Sequence, residues 1–310
     1  MKSCSLVIRA YNEEAHIGRL LDGVHRQTTQ EVEIILVDSG STDATTAMAV
    51  QYGATVLHIP PAEFTFGRSL NLGLEAATCD LAVLASAHVY LVYHDWLERL
   101  LSPFEDPQVA LSYGRQWGDE NTQFSEQQIF SRWYPQISTL HQTHAFCNNA
   151  NAALRRAIWK THPFDESLTG LEDLAWGKEV QGAGYAISYS AEAEVVHVHN
   201  ETPRSVLNRY RREGMAFKRI FPEAHFSLYD FARNVFSSIG FDLLHASRLK
   251  ESWHRLPGIF WFRFNQFWGT YQGYRHPGLL TPDLRQTFYY HVGWEKTTLL
   301  QRDVEPIGYH

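Results

Sequence analysis

Two hydrophobic periods alternate along the first ninety or so residues of the chain. Ser5 to Tyr11 (SLVIRAY) is a short apolar run, and behind it Ile17, Leu20, Leu21 and Val24 fall at helical spacing. Asn12-Glu13-Glu14 precedes them, putting acids in a first turn where the helix dipole favours them. The unit repeats: VEIILVD (Val32 to Asp38), then SGSTD, then ATTAMAVQY, which stops at Gly53, a suitable helix C-cap. Thr55 to Ile59 predicts a third strand, Arg68 to Ala77 a third helix and Leu81 to Ala87 a fourth strand. Such alternation predicts an α/β fold with a mostly parallel sheet, covered on both faces through right-handed crossovers.

Beyond Val109 to Arg115 the pattern turns irregular, with a helix expected near Thr122 to Tyr134 and FCNNANAALRR reading as loop into short strand. A helix around Asp173 to Gln181, the strand Tyr185 to Ser190 and EVVHVHN follow. From Arg204 onward Arg, Phe, Trp and Tyr mix at helical spacing, as in VLNRYRREGMAFKRIF. The expected organisation is a catalytic domain over residues 1–202 and a helical C-terminal extension over 203–310, packing on it or forming an oligomer interface.

Composition narrows the function. A net charge of -7 over 310 residues argues against a general nucleic-acid binder, which needs a basic surplus to neutralise phosphates. Cys4, Cys79 and Cys147 are odd in number and far apart, suggesting neither a disulfide framework nor a zinc spacing. Reduced thiols and a cytoplasmic setting are expected, with peripheral contact at an inner membrane face as the variant. The N-terminus has no long apolar region or cleavage site of a signal peptide, and no apolar run reaches the roughly 20 residues that span a bilayer.

In an open parallel sheet the ligand sits outside the carboxyl ends of the strands. Tyr11-Asn12-Glu13-Glu14, Asp38-Ser39-Gly40-Ser41-Thr42-Asp43 and Ser86-Ala87-His88 all land there. Singly, Asp38 or Ser41 reads equally well as a helix cap; together the clusters favour binding. Glu172-Asp173 supplies two candidate proton acceptors at a helix start, although acids there also suit the dipole, and adjacent helix residues cannot both face one acceptor.

These segments also carry a resemblance. SLVIRAYNEE, VEIILVDSGSTDAT, Phe64-Thr65-Phe66-Gly67-Arg68-Ser69-Leu70-Asn71, FCNNANAALRR and PFDESLTGLEDLAWGKEVQGAGYAISY are similar, in this order, to the inverting family-2 glycosyltransferases over about residues 4 to 200. The resemblance implies a Rossmann-like GT-A fold that binds a nucleotide-diphosphate-sugar and transfers the sugar to an acceptor hydroxyl with inversion. It implies that Ala10, Tyr11, Glu13 and Asp38 line the nucleoside pocket, that Arg68 and Asn71 approach the base or diphosphate, and that Asp173 is the base, with Glu172 bonding the acceptor or bracing the loop. Asn149 and Asn151 would lie near donor sugar and acceptor. Trp117, Trp133 and Trp176 are candidates to stack on a sugar face, although a Trp is more often core.

One position departs from that family. The strand Leu81 to Ala87 leads into Ser86-Ala87-His88, where the family places Asp-x-Asp, or at least one Asp, to hold Mg²⁺ or Mn²⁺ across the diphosphate. Mg²⁺ prefers oxygen, whereas imidazole suits Mn²⁺, Zn²⁺ and their neighbours. Val196-His197-Val198-His199 offers a second imidazole source, and period-two alternation puts both rings on one face. The residues support two accounts equally: a metal on His88 with His197 or His199, or a metal-free site in which His88 and Arg68, aided by Arg204, Arg209, Arg211 or Arg212, meet the leaving diphosphate.

The sequence thus predicts a glycosyltransferase acting on a nucleotide-diphosphate-sugar and a glycan, lipid-linked or small hydroxylated acceptor, in glycan or polysaccharide biosynthesis. A catalytically lapsed nucleotide-sugar or glycan binding module is the competitor that the missing Asp-x-Asp supports and Glu172-Asp173 opposes. A nucleotidyltransferase would want a Gly-rich phosphate loop, which YNEEAHIG does not provide. The basic-aromatic stretch Arg209, Tyr210, Arg211, Arg212, Phe217, Lys218, Arg219 suits packing or a homodimer interface better than an anionic membrane surface.

Overall fold

A computed structural model describes residues 4–29, 31–199, 201–248, 252–275 and 304–309. In chain order the elements are β1 (Cys4–Ala10), α1 (Glu14–His25), β2 (Val32–Asp38), α2 (Thr45–Gln51), β3 (Thr55–His58), α3 (Phe66–Ala76), β4 (Leu81–Ser86), β5 (Val89–Leu91) and α4 (Trp96–Leu101). They continue with β6 (Val109–Trp117), α5 (Phe124–Trp133), β7 (Asn151–Arg155), α6 (Arg156–Thr161), α7 (Glu172–Gly182), β8 (Ala186–His197), α8 (Pro203–Ile220), α9 (Leu228–Arg248) and α10 (Ser252–Arg275).

The eight strands form one sheet in the order β3-β2-β1-β4-β7-β6-β8-β5. The first half is parallel, as the alternating pattern requires: Ala10 sits level with Asp38, and Arg9 with both Val37 and Ser86. Strands at this centre are buried on both faces, so they read as continuous apolar runs rather than alternating ones. One face carries Leu6, Ile8, Val83 and Ala85 under α1; the other carries Val7, Val37 and Leu84 under α3. Gly73 allows α3 to lie close on the sheet, because a Cβ there would stand 2.3 Å from Val7 Cγ1.

The second half is mixed, which the sequence pattern did not foretell. β7 runs antiparallel to β4 and β6, and β5 antiparallel to β8. The two expected strands Tyr185 to Ser190 and EVVHVHN are one strand, β8, bent by a register shift between Gly114 and Gln116 of its partner β6. This matters for function. The register Val89↔His197 and the bond from Val198 N–H to His88 C=O (3.0 Å) bring the β4–β5 turn against the 197–199 segment.

The helix α10 packs on α8 and α9, and α9 and α10 pack on α5. A buried polar lock ties them to the sheet domain: Arg263 donates from Nε and Nη2 to both oxygens of Asp242 (2.7 and 2.8 Å), and Ser125 Oγ of α5 donates to Asp242 Oδ2 at 2.6 Å. Residues 304–309 return to β5, where Ile307 N–H bonds Val92 C=O (3.0 Å) and Tyr309 Oη bonds Leu91 C=O (2.8 Å). The part of the expected C-terminal extension at 276–303 lies outside the described residues. No described helix is long and apolar enough to cross a membrane. Cys4, Cys79 and Cys147 are free thiols.

Candidate active site

A cleft of about 460 Å³ opens at the carboxyl ends of β1 and β4. Its first wall is the β1–α1 turn, held by an interlock with the β2–α2 loop. Asn12 N–H donates to Ser41 Oγ (2.8 Å), Thr42 N–H to Asn12 Oδ1 (2.8 Å) and Glu13 N–H to Thr45 Oγ1 (2.7 Å). Glu14 and Asp43 cap reciprocally, each accepting an amide from the other's loop. Asn12 adopts φ +52°, a left-handed conformation that asparagine tolerates better than other side chains that carry a Cβ.

The second wall is the start of α7. Leu171, at φ +55°, holds a left-handed conformation that is costly for an aliphatic residue and turns the chain so that Glu172 and Asp173 open the helix beside the cleft. Glu172 accepts an ion-paired bond from Arg9 Nη1 at 3.2 Å. The guanidiniums of Arg9 and Arg212 stand 4.7 and 4.8 Å from the centre of the Phe66 ring, so one aromatic holds two cations at the cleft. Asp173 accepts from Leu174 N–H (2.8 Å) and Asn149 N–H (3.3 Å). Burial, reinforced by the Glu172 carboxylate, pushes Asp173 up to about 7, a value that suits a proton acceptor working near neutrality.

The third wall is a cluster of imidazoles. His88 stacks on His197 with centroids 5.0 Å apart, and His197 Nε2 and His199 Nε2 are 3.1 Å apart. One ligand nitrogen from each of the three rings lies within 4.8 Å of the others. Burial pulls His88 down, but the Glu13 carboxylate at 2.7 Å more than offsets it, leaving the ring above its ordinary value. Burial drives His197 and His199 well below theirs, helped by His199 and Arg209 respectively. A second grouping, Glu126, His199 and Glu201, already holds a cation: Arg209 Nη2 lies 2.6 Å from Glu126 and 2.7 Å from Glu201. Burial raises both carboxyls, Glu201 to about 7.

Of the residues expected at the site, Tyr11, Glu13, Ser86, His88, Asn149, Glu172, Asp173, His197 and His199 line this one cleft. The others stand elsewhere. Asp38 is 2% exposed; its carboxylate accepts from Gly40 and Ser41 amides at 3.1 Å and faces His58 at 3.3 Å, so with Ser41 it shapes the loop. Ala10 and Ala87 are buried beneath the floor. Arg68 pairs with Glu63 and with Glu166, while Asn71 braces the 164–166 segment and accepts from Trp159 Nε1 at 2.9 Å. Asn151 is wholly buried, spending its amide on Arg115 C=O, Ala193 C=O and Trp96 Nε1. Trp176 is core, 1% exposed, with Nε1 donating to His162 C=O. The sequence reading missed Arg9, Phe66 and Glu126; a charge inside the run SLVIRAY was the available signal for Arg9.

A larger cavity of about 1010 Å³ adjoins the cleft, sharing Asn148, Leu171, His197, His199, Arg209 and Glu213 with it. Among its described walls are Phe130, Trp133, Tyr134, Phe146 and Phe217.

A model of the family described as glycosyl transferase family 2 matches residues 5–162, which contain the parallel half of the sheet and the β1, β2 and β4 ends. The chain belongs to glycosyl transferase family 2. It is 32% identical over 227 residues to the O-antigen chain rhamnosyltransferase WbaN of Salmonella anatum, covering 69% of this chain and 72% of that protein. It is 29% identical over 224 residues to the O-antigen chain rhamnosyltransferase RfbN of Salmonella typhimurium, covering 68% of this chain and 71% of that one. Among solved structures, the mannosyltransferase PcManGT from Pyrobaculum calidifontis, in complex with GDP-Man and Mn²⁺, superposes with a TM-score of 0.59 at 16% identity, covering 85% of this chain and 84% of that one. TarS 1-349 of S. aureus, in complex with UDP-GlcNAc, gives 0.52 at 16% identity, covering 86% and 90%. At that identity the likeness speaks to the fold, which is the GT-A α/β fold expected from the sequence. The protein is a family-2 glycosyltransferase, and the cleft lies where such a sheet binds its ligand.

Proposed function

We propose that the enzyme transfers a sugar from a nucleoside-diphosphate donor to a hydroxyl of a growing glycan, with inversion, in polysaccharide assembly. The observation that carries this reading is a single cleft that holds a buried carboxyl, Asp173, pushed up to about 7, together with the guanidiniums of Arg9, Arg209 and Arg212 and the imidazole of His88. The O-antigen rhamnosyltransferase relatives support a polysaccharide product and a deoxyhexose donor.

In this reading Asp173 takes the proton of the attacking hydroxyl while the anomeric carbon passes from diphosphate oxygen to acceptor oxygen. Glu172, held by Arg9, positions Asn149 and the acceptor. Arg9, Arg209 and Arg212 meet the charge that gathers on the leaving diphosphate. The nucleoside lies against Tyr11 and Glu13, over the loop that Asp38 and Ser41 shape. His88, His197 and His199 are the residues that would hold a divalent cation, and their nitrogen donors fit a transition ion; bound there, it supplies Lewis-acid charge to the diphosphate. The acceptor enters from the adjoining aromatic-walled cavity, where Trp133 stacks on Phe146 at 4.6 Å. Residues 1–202 form most of the catalytic unit, α8 completes its cleft with Arg209 and Arg212, and the helices beyond are tied on through the Asp242–Arg263 lock.

The test is to incubate the protein with nucleotide-activated rhamnose, mannose and N-acetylglucosamine and a panel of glycan acceptors, and to follow nucleoside diphosphate release and product anomeric configuration by NMR. Release coupled to an inverted glycoside is expected. Donors that bind without turnover on any acceptor, or a retained configuration, would contradict the reading.

A further inference from the structure

The outer side of the C-terminal helices is apolar where a solvated surface would be polar. Among the described residues, seven of the eleven large apolar side chains that stand exposed belong to α9 and α10. On α9, Tyr229, Phe236 and Leu244 recur at i, i+7 and i+15, a stripe about 22 Å long, and each is 63–75% exposed. α10 adds Phe260 and Phe264, one turn apart, and Phe264 meets the Phe231 ring of α9 edge-on at 5.7 Å. Apolar side chains scattered over a surface need no explanation, but a run of them along one helix marks a face that a partner covers.

The charges of these helices identify the partner. Leu228–Arg248 and Ser252–Arg275 carry five arginines, no glutamate and only two aspartates, in a chain whose net charge is -7. Asp242 is wholly buried in its pair with Arg263. Asp230 accepts from Ser227 N–H (2.9 Å) and Ser227 Oγ (2.7 Å) and lies 3.5 Å from Arg233. Arg233 stands inside the stripe, between Tyr229 and Phe236, and Arg248 follows Leu244 by one turn. Aromatic and leucine side chains bordered by arginine suit a helix that lies in the plane of an anionic bilayer, with its apolar side chains in the headgroup boundary.

A second copy of the chain suits this face less well. In a two-fold dimer the same patch meets itself, so arginine would approach arginine, and the one acid nearby is already held by Ser227 and Arg233. The basic-aromatic segment Arg209 to Arg219 is not part of the surface. It belongs to α8, on which α10 packs so closely that a Cβ at Gly273 would stand 2.3 Å from Arg211 C=O.

We propose that the outer face of α9, extended by Phe260 and Phe264 of α10, docks on an anionic lipid bilayer and holds the enzyme at the membrane without crossing it. Phe241, beside the stripe, is half exposed and also lines the large cavity that adjoins the cleft, so docking brings the rim of that cavity to the lipid surface. None of the residues of this face lines the catalytic cleft.

The test is flotation of the full chain with vesicles of phosphatidylcholine, alone or mixed with phosphatidylglycerol, at low and high salt. Binding to the phosphatidylglycerol vesicles is expected at low salt, weakening as salt rises, with little binding to phosphatidylcholine alone. Phe236→Ser combined with Leu244→Ser should lower the affinity about 10–100-fold. Arg233→Gln combined with Arg248→Gln should lower it about fivefold for each arginine removed. All four side chains are exposed, so both variants should keep the parent's unfolding midpoint and nucleotide binding, and the arginine pair decides the matter should the serine pair fail to fold. No binding to anionic vesicles, equal binding to both kinds of vesicle, or binding that either variant leaves unchanged overturns the proposal. So does a dimer in sedimentation velocity that the serine pair dissolves while vesicles bind neither form, a result that would assign the face to a second copy.

Discussion

Arg9 Nη1 lies 3.2 Å from Glu172 Oε1, joining the first strand of the sheet to the start of a helix far along the chain. The pair sits beside Asp173, and Arg9 pulls that carboxyl down while burial and Glu172 push it up to about 7. The sign of the pH dependence follows. A base works ionised, so turnover should fall about tenfold per pH unit below about 7 and level off above it. In Arg9→Met the downward pull is gone, and the acid limb should move to higher pH. Rate profiles at saturating donor and acceptor check both; an unmoved limb would detach the profile from Asp173.

The interlocked loops carry their own prediction. Asn12→Ala removes the acceptor for Thr42 N–H and leaves a non-asparagine residue at φ +52°. The combined loss should be about 1–3 kcal/mol of stability. Urea unfolding measures it, and weaker nucleotide binding should accompany it, because Tyr11 and Glu13 share the turn. Asn12→Gly, which keeps the backbone free to adopt this φ, should recover part of the stability.

The lock between α5, α9 and α10 should be costly to break. Asp242 is wholly buried and accepts from Arg263 and Ser125, so Asp242→Ala strands a buried guanidinium and should cost about 3–5 kcal/mol. Chemical denaturation reads this directly. A loss below about 1 kcal/mol would mean that the helices are held by apolar packing alone.

Much of the first half was legible because doubly buried parallel strands announce themselves as apolar runs and their helices by spacing. β1 through β4 followed from that, and the clustering of Tyr11, Glu13, Ser86 and His88 followed from their place at strand ends. The pairing of His88 with His197 and His199 depended on the β5–β8 register, a long-range contact that local spacing cannot encode. Polar side chains were harder still. Asn71, Asn151 and Trp176 look like ligand contacts in a string of letters, but each satisfies buried groups of the protein. Asp38 likewise serves its own loop. The return of Ile307 and Tyr309 to β5 left no local trace in the sequence.

The account turns on Asp173 as the proton acceptor, and the most direct measurement is Asp173→Asn, with turnover and donor affinity determined side by side. Asparagine keeps the side chain's size and its carbonyl can still accept from Leu174 N–H, so the fold and the cationic wall should persist. Turnover lowered by about 10²–10⁴-fold, with donor affinity within a few-fold of the parent, is the predicted result. An Asn variant that transfers sugar at the parent rate would contradict it.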